Sequence, residues 1–385
     1  MKIGLFTDAY YPIISGVSIS VDILVKELTK LGHEVHVITN DHEHAQKEPN
    51  VYRVKGFRLP MKGLEEYRIG KVTHKKVKEL DKLNLDVIHC HTEFTMGRLG
   101  RRAAKRNNIP VVHTYHTMYE DYVHFVSKWL TKPLRLISKW YSKSFANRAD
   151  KVVFPTVKVK RTFDRYGFNK EGLVIPTGIY INQFHPSKFS KESIIALKHA
   201  LGINQDDFVM LFLGRLSREK SVDTLIDGFF DVLQKHSNAK LMLVGDGPDR
   251  HLFTERVNKY GIQDYVIFTG MVPPEQVPKY YQLADVFVNF SVTETQGLTY
   301  YEALASGLPL IVKYDDNLED VVIDDKNGFT FTDDADFVHL VSNYIKHPSK
   351  QSELKKNTIK SVQRFSALSY AKQIEKIYLD VVKER

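Results

Sequence analysis

The chain has 385 residues, 43% of them apolar and 11% aromatic, more than one ordinary hydrophobic core holds and a length that fits two domains. No apolar run reaches the roughly 18 residues of a spanning helix, and a single cysteine, Cys90, excludes an internal disulfide and fits a reducing cytosol. The net charge of +9 is uneven: residues 1–180 carry 31 Lys and Arg against 18 Asp and Glu, whereas residues 181–385 carry 24 against 28. A polyanionic partner, nucleic acid or an anionic membrane, is therefore expected on the first half only.

The chain opens on a strand-like run, with no signal-peptide pattern ahead of it. In the first half, strands are predicted at 2–7, 34–38, 87–90, 111–114, 151–154 and 173–175, and helices at 17–31, 70–83, 97–107 and 157–166. That alternation predicts an α/β fold with a parallel, doubly wound sheet. After the first strand, Gly16 stands just ahead of a helix, where a missing side chain lets the backbone approach a ligand. A plain strand-to-helix turn would read the same way. His89, His91, His113 and His116 flank two strand ends, but no cysteine or clustered carboxylate completes a zinc set, so no metal site is predicted. Cys90, at a strand end, is expected to be a small core residue.

Residues 120–149 carry a second pattern. At helical spacing Lys128, Lys132, Arg135, Lys139 and Lys143 fall within about 80° of arc. Leu130, Leu134, Ile137, Tyr141 and Phe145 fall opposite, and Trp129 and Trp140 flank the two faces, with Pro133 starting a fresh helix. A solvated face over a packed one would give such a stripe. The density of cations beside tryptophan favours an interfacial helix on anionic lipid. The loop 56–64 adds apolar residues beside further cations.

In the second half strands are predicted at 208–213, 240–244, 266–269, 286–289 and 310–312. Arg215 and Lys220 follow the first of them, able to meet a diphosphate as a planar fork and a point charge. A helix from about Thr299 to Ser306 follows Glu294 and Gly297, so the N–H groups from Gly297 through Leu298 to Thr299 sit at the positive end of its dipole. Glu302 lies one turn in. Two carboxylates could also suggest glycoside hydrolysis, but nothing local sets the separation that chemistry needs. Asp334 and Asp336 form a D-x-D before a helix and are expected to cap it.

Glu294, Gly297, Leu298 and Glu302 have the form E-x-x-G-L-x-x-x-E. This run resembles the donor-site signature of retaining glycosyltransferases of the GT-B fold, family four. Segments 6–17, 91–97, 116–122 and 292–300 are similar in wording to the membrane-associated diacylglycerol glucosyltransferases, and the resemblance covers nearly the whole chain. It implies two Rossmann-like domains facing across a cleft: 1–180 for acceptor and membrane, 181–366 for the nucleotide sugar, and a helix in 367–385 returning to the first. It implies UDP-glucose as donor, diacylglycerol as acceptor and no nucleic-acid partner. The site would be peripheral, on the cytosolic face of an anionic membrane bound by Trp129, Arg135, Lys139, Trp140 and Lys143. Arg215, Lys220 and the backbone from Gly297 to Thr299 would hold the diphosphate, Glu302 the ribose, and Glu294 and His116 the hexose near the reacting carbon. The loop of Val272 would hold the base, and Gly16 would lie against the donor. Cations and helix ends would replace a metal, leaving a divalent ion such as Mg2+ at most an activator. The family usually has an acid two residues after Gly178; here Tyr180 stands there.

Overall fold

A computed structural model describes residues 1–58, 67–118 and 131–385. The chain forms two compact units, Met1–Gly178 with Ala367–Arg385, and Ile179–Ser366.

The first unit holds β1 (Lys2–Phe6), β2 (Glu34–Asn40), β3 (Val51–Val54), β4 (Gly56–Arg58), β5 (Arg68–Gly70), β6 (Val87–Cys90), β7 (Val111–Thr114), β8 (Lys151–Phe154) and β9 (Gly172–Val174). Seven of these form one parallel sheet in the order β3-β2-β1-β6-β7-β8-β9, while β4 and β5 make a separate antiparallel ribbon. The inner strands are buried along nearly their whole length, as a sheet covered on both faces requires. Helix Gly16–Lys30 starts at Ser15, whose hydroxyl accepts from the Ser18 N–H while the Ser18 hydroxyl accepts from the Ser15 N–H. It buries Val21, Leu24 and Leu28, an i, i+3, i+7 stripe.

One expectation fails here, and one strand of the sheet was not expected. The predicted helix at 70–83 is shorter, His74–Leu80 with a tight turn Asp81–Leu83 after it, because Thr73 caps it by accepting from the Lys76 N–H and Arg68–Gly70 is already paired with β4. The edge strand β3 was not foreseen, since its outer face is polar and its four residues are too few for a period.

The second unit holds β10 (Phe208–Leu213), β11 (Ala239–Val244), β12 (Val266–Gly270), β13 (Val286–Asn289), β14 (Leu310–Lys313) and β15 (Gly328–Phe331), all parallel in the order β12-β11-β10-β13-β14-β15. This is the doubly wound order, with its reversal between β10 and β13. The D-x-D does not cap its helix. Asp333 does, accepting from the Ala335 N–H, and Asp334 pairs with Lys313 at 2.8 Å.

The last helix, Ala367–Lys383, belongs to the first unit. It buries Tyr370, Ile374, Ile377, Tyr378 and Val381, and Tyr370 and Tyr378 share hydrogen bonds with Ser20 (2.9 Å) and His89 (2.6 Å). Glu375 meets His33 at 2.7 Å on the same helix.

Candidate active site

In an open parallel sheet, ligands bind outside the carboxyl ends of the strands where the order reverses. In the second unit that point lies between the loops after β10 and β13. The β10 loop carries Arg215 and Lys220; the β13 loop carries Glu294 and leads into helix Leu298–Ala305. The structure joins two of the predicted residues directly: the Lys220 ammonium meets the Glu294 carboxylate at 2.7 Å, with both side chains largely buried. Thr293 ties the same loops by donating to the Glu219 carbonyl at 2.9 Å. Arg215 is exposed and has no protein acceptor among the described residues, so its guanidinium is available to an anion.

Gly297 starts the helix at φ +76°, and a Cβ there would stand 2.5 Å from the Tyr300 ring. Both facts demand glycine, and the N–H groups of Leu298 and Thr299 in the first turn have no intrahelical acceptor. Glu302, one turn in, accepts from the Tyr281 hydroxyl at 2.7 Å. Burial raises the Glu302 carboxyl above its ordinary value, and the Tyr281 bond pulls it part of the way back. Val272 is half-buried against the core after β12. The glycine turn after β11, too common in sequence to interpret, is a close backbone approach: Gly245 has φ +129°, and a Cβ on it would stand 2.1 Å from the Gly214 carbonyl oxygen.

In the first unit the reversal lies between β1 and β6. The β1 loop is pinned by Asp8, whose buried carboxylate accepts from Thr92, Thr95, Asn40 and the Met96 N–H. Burial raises this carboxyl and these four donors lower it, so Asp8 acts as a clamp on three loops. Gly16 is exposed, with open space where a Cβ would stand. The four histidines gather as expected at neighbouring strand ends, but they bond to one another and to hydroxyls. His91 Nδ1 and His116 Nε2 are 2.9 Å apart; His89 meets Tyr378 and Thr114; His113 Nδ1 donates to the Cys90 carbonyl. Burial drives His89 and His91 well below the ordinary imidazole value and His116 down to about 3, so all three are neutral. Among the described residues no group of three His, Cys, Asp or Glu side chains is arranged to hold a metal ion. The Cys90 thiol, buried and pushed up to about 12, is a core residue.

Residues 14–183 match the model of Glycosyltransferase Family 4, and residues 193–361 that of Glycosyl transferases group 1. The chain is 39% identical to the alpha-monoglucosyldiacylglycerol synthase of Acholeplasma laidlawii, over 99% of this chain and 98% of that one. The chain belongs to glycosyltransferase family 4. The enzyme of the same name from Streptococcus pneumoniae is 34% identical, over 99% of this chain and 86% of the relative. Among solved structures, Anabaena HepE in complex with UDP superposes with a TM-score of 0.80 at 20% identity, covering 99% of this chain and 100% of that one, which shows the shared GT-B fold.

On the first unit of this glycosyltransferase, helix Thr131–Ala146 corrects the expected faces. Trp129 lies outside the described residues. Arg135 is exposed, but the Lys139 ammonium sits over the Tyr166 ring at 5.1 Å and Lys143 is half-buried. Ile137, placed by spacing opposite the cations, is 60% exposed, and so are Leu136 at 68% and Trp140 at 63%. Phe145 and Ser142 hold the inner face, so the outer face is an apolar ridge with cations along its edges. Tyr141 turns inward with Phe145, donating to the Glu93 carbonyl at 2.6 Å, whereas Ile137, one turn earlier on the same sequence face, does not. No helix among the described residues is long and apolar enough to cross a membrane.

Sequence reasoning missed Asp8, Tyr281 and Glu93. Asp8 lies within the 6–17 segment and Tyr281 outside the motifs, and both act through partners distant in sequence, Thr92 84 residues from Asp8 and Glu302 21 from Tyr281. Glu93 shared the 91–97 segment, yet its Oε1 lies 3.4 Å from His113 Nε2 only once β6 and β7 pair.

Proposed function

We propose that the enzyme transfers glucose from UDP-glucose to the 3-hydroxyl of 1,2-diacylglycerol at the cytosolic membrane face, with retention, forming alpha-monoglucosyldiacylglycerol. The observation that carries this reading is the full-length similarity to two synthases of that product, which extends over the acceptor unit as well as the donor unit.

In this reading Arg215, Lys220 and the first N–H groups of helix Leu298–Ala305 take the diphosphate and stabilise its charge as it leaves. Glu302 takes the ribose hydroxyls with Tyr281 behind it, and the loop of Val272 the base. Glu294 and His116 take the hexose hydroxyls, and Gly16 supplies an uncluttered backbone edge. The bond from the anomeric carbon to the phosphate oxygen breaks, and the acceptor oxygen bonds to the same face of that carbon. The departing phosphate oxygen receives the acceptor's proton. No metal site belongs to this reading, and a divalent ion would be at most an activator. The ridge of Leu136, Ile137 and Trp140, edged by Arg135, would sit in the headgroup layer of an anionic bilayer.

Mass spectrometry of lipid products tests the reading, using diacylglycerol in anionic vesicles and UDP-glucose, UDP-galactose or UDP-N-acetylglucosamine as donor. One hexose added to diacylglycerol from UDP-glucose alone, with an alpha linkage by NMR, is the expected result. Transfer only to a soluble or already glycosylated acceptor, preference for another donor, or a beta linkage would overturn it.

A further inference from the structure

The imidazoles of His91 and His116 share one hydrogen bond, with Nδ1 of the first 2.9 Å from Nε2 of the second. Two neutral rings can make that bond in only two ways, and they differ in what becomes of the outer nitrogen of His91. His91 is 1% exposed, and its Nε2 is buried without a hydrogen-bond partner among the described residues. If His116 donated, the His91 proton would be on Nε2, leaving an orphaned N–H in the interior. If His91 donates from Nδ1, only a lone pair is left unmatched. Buried orphan donors are rarer and costlier than under-satisfied acceptors.

The surroundings hold the His91 ring in place. Its backbone N–H donates to the Phe6 carbonyl at 2.8 Å, tying it to β1, and the His89 ring packs against it with centroids 4.0 Å apart. His89 is in turn fixed by hydroxyls on both nitrogens, Tyr378 at 2.6 Å and Thr114 at 2.7 Å. Tyr378 comes from the C-terminal helix, so that helix is built into the support of the histidine pair.

We propose that His91 is a positioning residue that sets the tautomer of His116, donating from Nδ1 to its Nε2 so that His116 carries its proton on Nδ1. Because Nε2 of His116 is then occupied as an acceptor, Nδ1–H is its one free donor. It can give a hydrogen bond to a hydroxyl oxygen and cannot accept one. Burial supports a neutral pair, since it pushes both imidazoles below physiological pH. The use of this donor toward a sugar hydroxyl rests on the function proposed above; the tautomer itself does not.

Long-range proton–nitrogen NMR of the full-length protein with ring-labelled histidine reads the tautomer directly, without substrate. The expected spectrum of the native protein shows His116 protonated on Nδ1 and His91 on Nδ1; protonation of His116 on Nε2 would overturn the assignment. In His91→Ala, His116 should lose its enforced form and show protonated Nε2. There kcat should fall on the order of 10-fold, about one hydrogen bond's worth, with the Kd for UDP unchanged. His91→Asn, whose side-chain N–H stands near the position of Nδ1, should restore the Nδ1–H form of His116 and most of the lost kcat. Native kcat in His91→Ala, or no rescue by a folded His91→Asn, would refute the positioning role. A native protein without glucosyl transfer would overturn the functional reading and leave the tautomer to be decided by the spectrum alone.

Discussion

Tyr281→Phe isolates the support of Glu302. The tyrosine ring is fully buried and its hydroxyl lies 2.7 Å from Glu302 Oε2. Phenylalanine fills the same space apart from one oxygen, so cavity terms are small and the loss is the bond itself. Hydrogen bonds to charged groups contribute about 1.5–3 kcal/mol. For a unit the size of Ile179–Ser366, each kcal/mol moves Tm by about 2–4 °C, so calorimetry should show a fall of roughly 3–12 °C. Because Tyr281 is the group that lowers the Glu302 carboxyl against burial, its removal raises that carboxyl further. A carboxyl held higher accepts less well from ribose hydroxyls as pH falls, so UDP binding by titration calorimetry should weaken on the order of tenfold, about 1.4 kcal/mol, with the larger deficit on the acid side. The deficit should shrink as pH rises to 8. An unchanged Tm would show that Tyr281 does not support Glu302. A lowered Tm with native UDP affinity at pH 6 would remove Glu302 from the nucleotide site.

Lys220→Ala should cut turnover of UDP-sugar about 10²–10³-fold in a radiolabel transfer assay, because it strips a cation from the leaving group and from Glu294 at once; full turnover would exclude the role. Replacing Ile137 and Trp140 together with Ser should lower affinity for anionic vesicles in a sedimentation assay by about 3 kcal/mol, and Arg135→Ser by about 1 kcal/mol, the second effect fading as salt rises. UDP binding should be unaffected, and native vesicle affinity in the double variant would make the ridge an ordinary surface. Thermal stability should fall as pH drops from 7 towards 5. His89 and His91 are buried neutral with lowered folded values, so the unfolded chain binds more protons once pH passes below about 6.5. Each then removes about 1.4 kcal/mol per pH unit. Asp8 and Glu302, raised by burial, act in the opposite sense, since the folded state holds their protons more tightly than the unfolded one. A flat Tm across pH 5–7 would mean that these imidazoles are not held neutral.

The strand pattern of both units was legible because inner parallel strands are buried on both faces and so appear as nearly continuous apolar runs, as in Val87–Cys90, broken only by His89, and Phe208–Leu213. The loops after β10 and β13 were legible for a related reason. Gly297 has to turn left-handed before a helix, and Arg215, Lys220, Glu294 and Glu302 sit at fixed steps from strand ends, so local spacing carries their positions. The edge strands β9 and β12 were legible, but β3 and the β4–β5 ribbon were not, being too short for a period and dependent on partners elsewhere in the chain. Pairing was beyond the sequence altogether. Nothing near Asp8 announces Thr92, and nothing near His89 announces Tyr378, 289 residues away. Helical spacing alone groups Ile137 with Tyr141 and Phe145, yet in the structure Tyr141 and Phe145 turn inward, Tyr141 through its hydroxyl on the Glu93 carbonyl, and Ile137 stays exposed. Sequence by itself determined which residues have the chemistry for a nucleotide sugar. Tertiary structure decided which of them touch, because burial and long-range hydrogen bonds are properties of the packed chain and of no segment within it.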